Sequence, residues 1–292
     1  MSDRAMTEVP LQFGEGGRLF GILTVSDVQS SDLPKPPAFV FLTAGLLHRV
    51  GPHRMYVRLA RELAQIGINS LRVDLAGIGD SPPCPDLTYQ QSVAADYVEI
   101  SSVLESQLGP APIVLAGLCS GADNVIRLSI SDPRVVGMVL LDPVCCKDDG
   151  FRKRAVVFSA KAFARKSMEP ARYLPWLKRR IGARALLSND TEIQIDNLTL
   201  RVSPTQEQMR AAFESVRERD GRVLSVFTEY ALRYYNHIGQ MGRVLGVEGY
   251  EQYCTEIFWP HVEHSYPLES HRRRLIDEII SWAAQPMPKL SI

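Results

Sequence analysis

Residues 112–130 constrain the fold of this chain more tightly than any other stretch. An apolar run, Pro112-Ile113-Val114-Leu115-Ala116, enters the turn Gly117-Leu118-Cys119-Ser120-Gly121 and continues as the apolar-periodic segment Ala122 to Ile130. The run suits a strand buried on both faces, as in a parallel sheet, and the segment after it suits a helix. A strand that passes directly into a helix forces the central residue of the turn into a strained backbone conformation. The residues two before and two after it must then be small, because strand and helix approach each other there. With Cys119 at the centre both flanks are glycine, whereas with Ser120 at the centre Leu118 would fill the crowded flank. Cys119 is therefore the side chain such a turn presents at its apex. The competing readings are a glycine turn that cradles a phosphate and a cysteine that is one more small buried hydrophobe.

A thiol presented in this way acts in acyl transfer only with a base to take its proton and a carboxylate to orient that base, in the chain order nucleophile, acid, histidine. Tyr253 to Trp259 reads as a last strand, Val262-Glu263-His264-Ser265-Tyr266 as a loop, and Arg274 to Ala284 as an amphipathic closing helix with Leu275, Ile276, Ile279, Ile280 and Trp282 as its apolar positions. His264 is the expected base by this position. The remaining histidines, His48, His53, His237, His261 and His271, have no such context. For the acid, Arg222 to Phe227 reads as a buried strand and Glu229 lies just past its end, where open parallel sheets gather their functional loops. Glu229 is the first choice and Asp142, just past the strand Val135 to Leu141, the alternative. Asp142 precedes Pro143 and also reads as an ordinary turn residue, and Glu263 as a neighbour of the histidine.

Two further motifs carry a resemblance. Val40-Phe41-Leu42-Thr43-Ala44-Gly45-Leu46 is a strand followed by a glycine turn, and Asn69 to Asp74 leads into Leu75-Ala76-Gly77-Ile78-Gly79-Asp80-Ser81, a D-x-x-G-x-G-x-S pattern. With the elbow they make the chain resemble an α/β-hydrolase over nearly its whole length. The stretch Arg49-Val50-Gly51-Pro52-His53-Arg54, taken with Gly117-Leu118-Cys119, is similar to the subgroup known as exosortase A system-associated hydrolases, and an elbow cysteine is shared with dienelactone hydrolases. The resemblance implies an oxyanion hole built from the backbone N–H groups of Leu46 and Ser120. Two positions depart from the family pattern: Ala44 stands where a histidine is common before the glycine, and glutamate stands where aspartate is commoner as the acid.

The expected architecture is an α/β-hydrolase fold, a mostly parallel doubly wound sheet with a helical cap inserted after the sixth strand. Leu11 to Val25, turning at Gly16-Gly17, reads as an antiparallel edge hairpin. The core is expected over 1–144 and 222–292 and the cap over 145–221, where alternation of strands and helices stops. The expected function is hydrolysis of an ester or thioester through an acyl group on Cys119. Passage of that acyl group to an amine or alcohol, as in an acyltransferase or cyclase, is the first alternative. A non-catalytic protein that binds a ligand or partner on the same fold is the second, and it would need neither nucleophile nor base nor acid.

With 33 basic and 33 acidic residues the net charge is zero, so the chain as a whole carries no nucleic-acid footprint. The N-terminus lacks the apolar run of a signal peptide, and no stretch approaches the roughly 18 apolar residues of a membrane span, so a cytoplasmic location is expected. The five cysteines, Cys84, Cys119, Cys145, Cys146 and Cys254, have no metal-ligand spacing. Reduced thiols are expected, and neither a metal nor a cofactor is called for.

Charge is unevenly distributed. Between Lys147 and Arg184 twelve basic residues face three acidic ones, a local excess of +9 in a neutral chain, interleaved with Phe151, Phe158, Phe163, Tyr173 and Trp176. Such basic amphipathic segments suit an anionic substrate, an acidic lipid surface or an acidic carrier domain, the alternative being a solvated face. The sharpest expectation is an acyl carrier protein docked on a surface that includes Arg179 and Arg180. Attraction of this kind acts on association and is screened over about 8 to 10 Å. Turnover of a carrier-bound thioester should then fall with ionic strength and on reversing the charge of Arg179 and Arg180, with little change for a small neutral ester. Equal response of both substrates in a stopped-flow salt series would reduce the stretch to a solvated face.

Overall fold

A computed structural model describes residues 6–28, 36–156 and 202–286. Eight strands form one sheet: β1 (Met6–Phe13), β2 (Leu19–Ser26), β3 (Ala38–Leu42), β4 (Ser70–Asp74), β5 (Ile113–Leu118), β6 (Val135–Leu141), β7 (Arg222–Phe227) and β8 (Cys254–Phe258), in the order β1-β2-β4-β3-β5-β6-β7-β8. β2 is antiparallel to β1 and to β4, and every pairing from β4 to β8 is parallel. β3, β5 and β6 are buried along their whole length, which explains why they read as unbroken apolar runs rather than as alternating ones.

Helices cover both faces. α1 (Met55–Gln65) lies on one, α2 (Tyr89–Leu108) and α3 (Ser120–Ser131) on the other. The short helices α5 (Gln240–Leu245) and α6 (Tyr250–Tyr253) lead into β8, and α7 (Glu269–Ala283) closes the chain. The pleat divides the core: Ala38, Val40 and Leu42 pack with α2 and α3, while Phe39 and Phe41 pack with α1 and α7. Leu275, Ile276, Ile279 and Trp282 form the buried stripe of α7, at the spacing expected of the closing helix.

Between β6 and β7 the chain divides into two compact units, Met1–Cys146 with Leu200–Ile292, and Lys147–Thr199. The expected end of the insertion at 221 is too late. α4 (Gln206–Glu218) begins at a capping box in which Thr205 and Gln208 satisfy each other's backbone, and it belongs to the core. Its residues Met209, Ala212, Phe213 and Val216 recur at helical spacing and are buried in the same cluster as α3. The Arg219 guanidinium donates to the carbonyls of Ser129 and Val135 at 2.8 and 3.1 Å, which ties the end of α4 to the α3–β6 turn. In the second unit the Lys147 ammonium lies 5.2 Å from the Phe151 ring centroid and Arg154 pairs with Asp148. Arg179, Arg180 and most of the basic stretch lie outside the described residues. Among the described residues no helix is long and apolar enough to cross a membrane, and no group of three or more His, Cys, Asp or Glu side chains is placed to hold a metal.

Phe213 is fully buried and stacks on Tyr250 with ring centroids 5.7 Å apart. Truncating such a ring leaves a cavity as well as losing its burial, so Phe213→Ala should cost about 3 to 5 kcal/mol. Urea unfolding checks this through a lowered midpoint at unchanged slope. A variant as stable as wild type would remove α4 from the core.

Candidate active site

Strand β5 runs into α3 through Cys119, whose backbone adopts φ 55° and ψ −117°, a conformation a non-glycine residue holds only when its surroundings impose it. The Cys119 N–H donates to the Leu141 carbonyl at 2.8 Å, and its carbonyl accepts the Asp123 N–H at 3.1 Å. The glycines leave no alternative. A Cβ on Gly117 would stand 2.3 Å from the Gly121 carbonyl carbon, and one on Gly121 2.8 Å from the carbonyl oxygens of Leu42 and Thr43. Two adjoining strand ends and a helix therefore meet at backbone distance, and Cys119 is pushed outward, half-buried, at the N-terminus of α3.

His264, in the loop after β8, hydrogen-bonds to both expected kinds of partner. Its Nδ1 lies 2.5 Å from Asp142 Oδ2. A carboxylate only accepts, so Nδ1 donates to Asp142, and Nε2 is the ring nitrogen that faces Cys119, with which His264 is also hydrogen-bonded. Burial on its own would lower the pKa of His264, but the hydrogen bonds and charges of Asp142 and Cys119 outweigh it and raise it to about 9.

Asp142 is fully buried and held from several sides. Its backbone takes φ 49° with its N–H donating to the Val226 carbonyl at 2.8 Å, and its carboxylate accepts the Thr228 N–H and the Thr228 hydroxyl, each at 2.6 Å. Glu229 was the preferred carboxylate on sequence grounds, and the structure does not bring it to His264. Its backbone N–H donates to the Val262 carbonyl at 3.0 Å, bridging the ends of β7 and β8, and its side chain is on the exposed side. The residue at the end of β7 that turns inward is Thr228, and it holds the aspartate of the neighbouring strand. Glu263 is bonded by the Ser265 hydroxyl at 2.7 Å and takes no part in the pair.

The loop after β3 meets the elbow where the Gly45 N–H donates to Ser120 Oγ at 2.7 Å. Leu46 follows, largely exposed, and Leu47 N–H closes the turn onto the Ala44 carbonyl at 2.9 Å. Among the described residues neither the Leu46 nor the Ser120 N–H has a backbone acceptor. The loop is tied down through Asp74. This buried carboxylate accepts the Arg49 N–H at 2.6 Å, pairs with the Arg49 guanidinium, and accepts the Asp80 N–H at 3.1 Å. Gly79 is required beside it, since a Cβ there would lie 2.2 Å from Asp74 Oδ2, and Ser81 Oγ donates to the Asp74 carbonyl at 2.8 Å. The D-x-x-G-x-G-x-S pattern thus builds the seat for the loop that faces Cys119.

Sequence reasoning overlooked Tyr230 and Arg233, in the short 3₁₀ helix Glu229–Arg233. The Tyr230 ring stacks on His264 with centroids 4.1 Å apart and planes at 17°, and its hydroxyl oxygen lies 3.9 Å from Cys119 Sγ, accepting from the thiol. The Arg233 guanidinium lies 3.5 Å from the centroid of the same ring. Their one sequence signal is position: an aromatic and a cation in the first turn past a parallel strand's end.

A histidine that titrates near 6.5 when unfolded and near 9 when folded is bound more tightly to its proton in the fold. The stability this supplies is complete below about pH 6.5 and is lost as pH rises through about 9. Urea midpoints of wild type should therefore fall across that window, and those of His264→Ala should fall less steeply. Parallel profiles would contradict the raised pKa.

Comparison with known proteins agrees with the fold. The family model described as serine aminopeptidase, S33, matches residues 35–223, well over half of the chain. The matched stretch contains the elbow Gly117 to Gly121. A highly thermostable carboxyl esterase from Bacillus coagulans is similar over 95% of this chain and 97% of its own, at 13% identity and a TM-score of 0.58. An esterase from Pyrococcus furiosus is similar over 96% and 90%, at 11% identity and a TM-score of 0.57. A putative α/β-hydrolase from Agrobacterium tumefaciens covers 97% and 100%, at 13% identity and a TM-score of 0.53. At these identities the likeness is one of fold. No curated protein sequence matches the chain. On the family match together with the eight-stranded sheet and its elbow, the chain is a hydrolase enzyme that belongs to the serine aminopeptidase S33 family of α/β-hydrolases.

Proposed function

We propose that the enzyme cleaves an ester or thioester through an acyl group carried on Cys119, with His264 as general base and Asp142 as the carboxylate that orients it. The observation that carries this reading is the continuous chain of hydrogen bonds from Cys119 through His264 to the buried Asp142. Below about pH 9 His264 holds on Nε2 the proton that the thiol gives up, while Asp142 keeps Nδ1 protonated and offsets the charge of the imidazolium. The resulting thiolate sits at the N-terminus of α3, whose dipole favours a negative charge. Attack on the acyl carbon forms the C–S bond and moves the carbonyl π electrons onto oxygen. The N–H groups of Ser120 and Leu46 receive that oxyanion, a contribution of about 3 kcal/mol per donor in comparable sites. Collapse expels the leaving group, which takes its proton from His264, and water activated by the same imidazole then hydrolyses the acyl-cysteine.

Ser120 supports this reading from a different role. Its hydroxyl is engaged by the Gly45 N–H, so it fastens the loop that carries Leu46 to the elbow and does not compete with Cys119 as nucleophile. Docking of an acidic acyl carrier on the basic stretch remains part of the proposal, motivated by its local charge excess of +9.

Kinetics on a small activated ester, p-nitrophenyl acetate, test the assignment. Cys119→Ala should abolish turnover with the fold intact. Asp142→Asn should lower kcat by on the order of 10²-fold, the lower end of the range for general acid–base contributions, since a thiol depends less than a hydroxyl on a strong base. Glu229→Gln should stay within about twofold of wild type, as expected for an exposed side chain away from such features. A larger loss for Glu229→Gln than for Asp142→Asn would return the acid to the end of β7.

A further inference from the structure

We infer that Tyr230 is a further catalytic residue, whose hydroxyl donates to the Cys119 thiolate while its ring, clamped between His264 and Arg233, fixes the imidazole against the sulfur. The inference rests on the reading of Cys119 as nucleophile given above. Its own grounds are geometric. One aromatic side chain touches both reacting groups: the sulfur through its hydroxyl at 3.9 Å and the imidazole through its face at 4.1 Å. The Arg233 guanidinium, 3.5 Å from the ring centroid, must occupy the opposite face, because two groups this close to one ring cannot share a side. The ring is therefore held from above and below, and its hydroxyl is left at the sulfur.

Proton accounting gives the hydroxyl its role. The Cys119 thiol has one proton, which can turn to the Tyr230 oxygen at 3.9 Å or to His264 Nε2 but not to both. With that proton on His264 Nε2 the sulfur is an acceptor only, and it can accept from the Tyr230 O–H as well as from the imidazolium. The phenol rotates, donates and keeps its proton, so no charge is created beyond the thiolate and imidazolium already formed. Hydrogen bonds to a charged acceptor are roughly twice as strong as neutral ones, and their geometry commonly tightens only when that charge develops. A cation on the ring face draws electron density from the phenol and strengthens its O–H as a donor.

The charged and titratable groups around the Cys119–His264 pair come from several neighbouring elements. His264 from the loop after β8, Tyr56 from α1 and Tyr230 from the turn after β7 interact with Cys119 itself, while Asp142 from the end of β6 acts on His264, Tyr266 lies by Asp142 and Tyr56, and Arg233 covers the Tyr230 ring. The Tyr56 hydroxyl is directed to the Leu42 carbonyl at 3.4 Å, and the buried Tyr266 hydroxyl has no hydrogen-bond partner among the described residues. Of the three phenols, Tyr230 is the one hydrogen-bonded to the sulfur.

The test uses the full chain and needs no natural substrate. Alkylation of Cys119 by iodoacetamide is followed by peptide mass spectrometry, beside kcat and KM for p-nitrophenyl acetate. Tyr230→Phe keeps the stack and removes only the hydroxyl. It should slow alkylation at pH 7 about tenfold, with the rate regained at higher pH, and lower kcat by a similar factor with KM unchanged. The tenfold figure is the loss of one hydrogen bond to a charged group. Arg233→Met should shift both in the same direction by less, and Tyr230→Leu, which also frees the imidazole, by more. Wild-type alkylation and kcat in Tyr230→Phe would overturn the inference, as would a raised KM at unchanged kcat, which would make Tyr230 a substrate contact. The two readings fail separately. If alkylated wild type still turns over ester, Cys119 is not the nucleophile, whereas slow alkylation in Tyr230→Phe reports the sulfur contact regardless.

Discussion

A Cβ atom added at Gly117 would sit 2.3 Å from the carbonyl carbon of Gly121, so the end of β5 and the first turn of α3 meet backbone to backbone. That contact sets the rest of the site. It forces Cys119 to φ 55°, points its side chain away from the sheet, and brings Ser120 close enough to the loop after β3 for its hydroxyl to accept the Gly45 N–H. A strained residue of this kind costs on the order of 1 to 3 kcal/mol and persists only where its surroundings over-determine it. Here they do so through the Leu141 carbonyl, the Asp123 N–H and the buried strands on either side of β5.

The same logic of adjoining strand ends assembles the remaining groups. Because β6 lies between β5 and β7, Asp142 emerges beside Cys119 and within reach of Thr228, whose N–H and hydroxyl hold both carboxylate oxygens. Because β8 pairs with β7, the loop carrying His264 arrives over that carboxylate, and Tyr230 stacks on the imidazole. On the opposite side β4 ends in Asp74, which anchors Arg49 and so the loop that presents Leu46. Each functional group stands at the carboxyl end of a parallel strand, where side chains converge without interrupting the ladder.

Much of this was readable from sequence because it depends on local sterics. The strands Val135–Leu141 and Arg222–Phe227 are apolar enough to mark their own bounds, and the elbow glycines single out Cys119 by the space they leave. The carboxylate was not readable. Asp142 and Glu229 both follow a strand end, and what separates them is a left-handed backbone at Asp142 and an inward Thr228, both products of cross-strand hydrogen bonding. The end of the insertion was missed for a related reason: helical periodicity continues through 206–218, and only packing against α3 assigns that helix to the core. Tyr230 was invisible because its role is a stacking contact with a residue 34 positions away in sequence.

The central claim is that acyl transfer passes through Cys119 with His264 as its base, and the covalent intermediate tests it most directly. In a His264→Ala protein exposed to p-nitrophenyl acetate, loss of the base should slow release of the acyl group more than its capture by an activated ester. Intact-mass and peptide mass spectrometry should then find one added acetyl group on the peptide bearing Cys119, located on its sulfur, and none in Cys119→Ala. An acetyl group on Ser120, or ester turnover that persists in Cys119→Ala, would contradict the account.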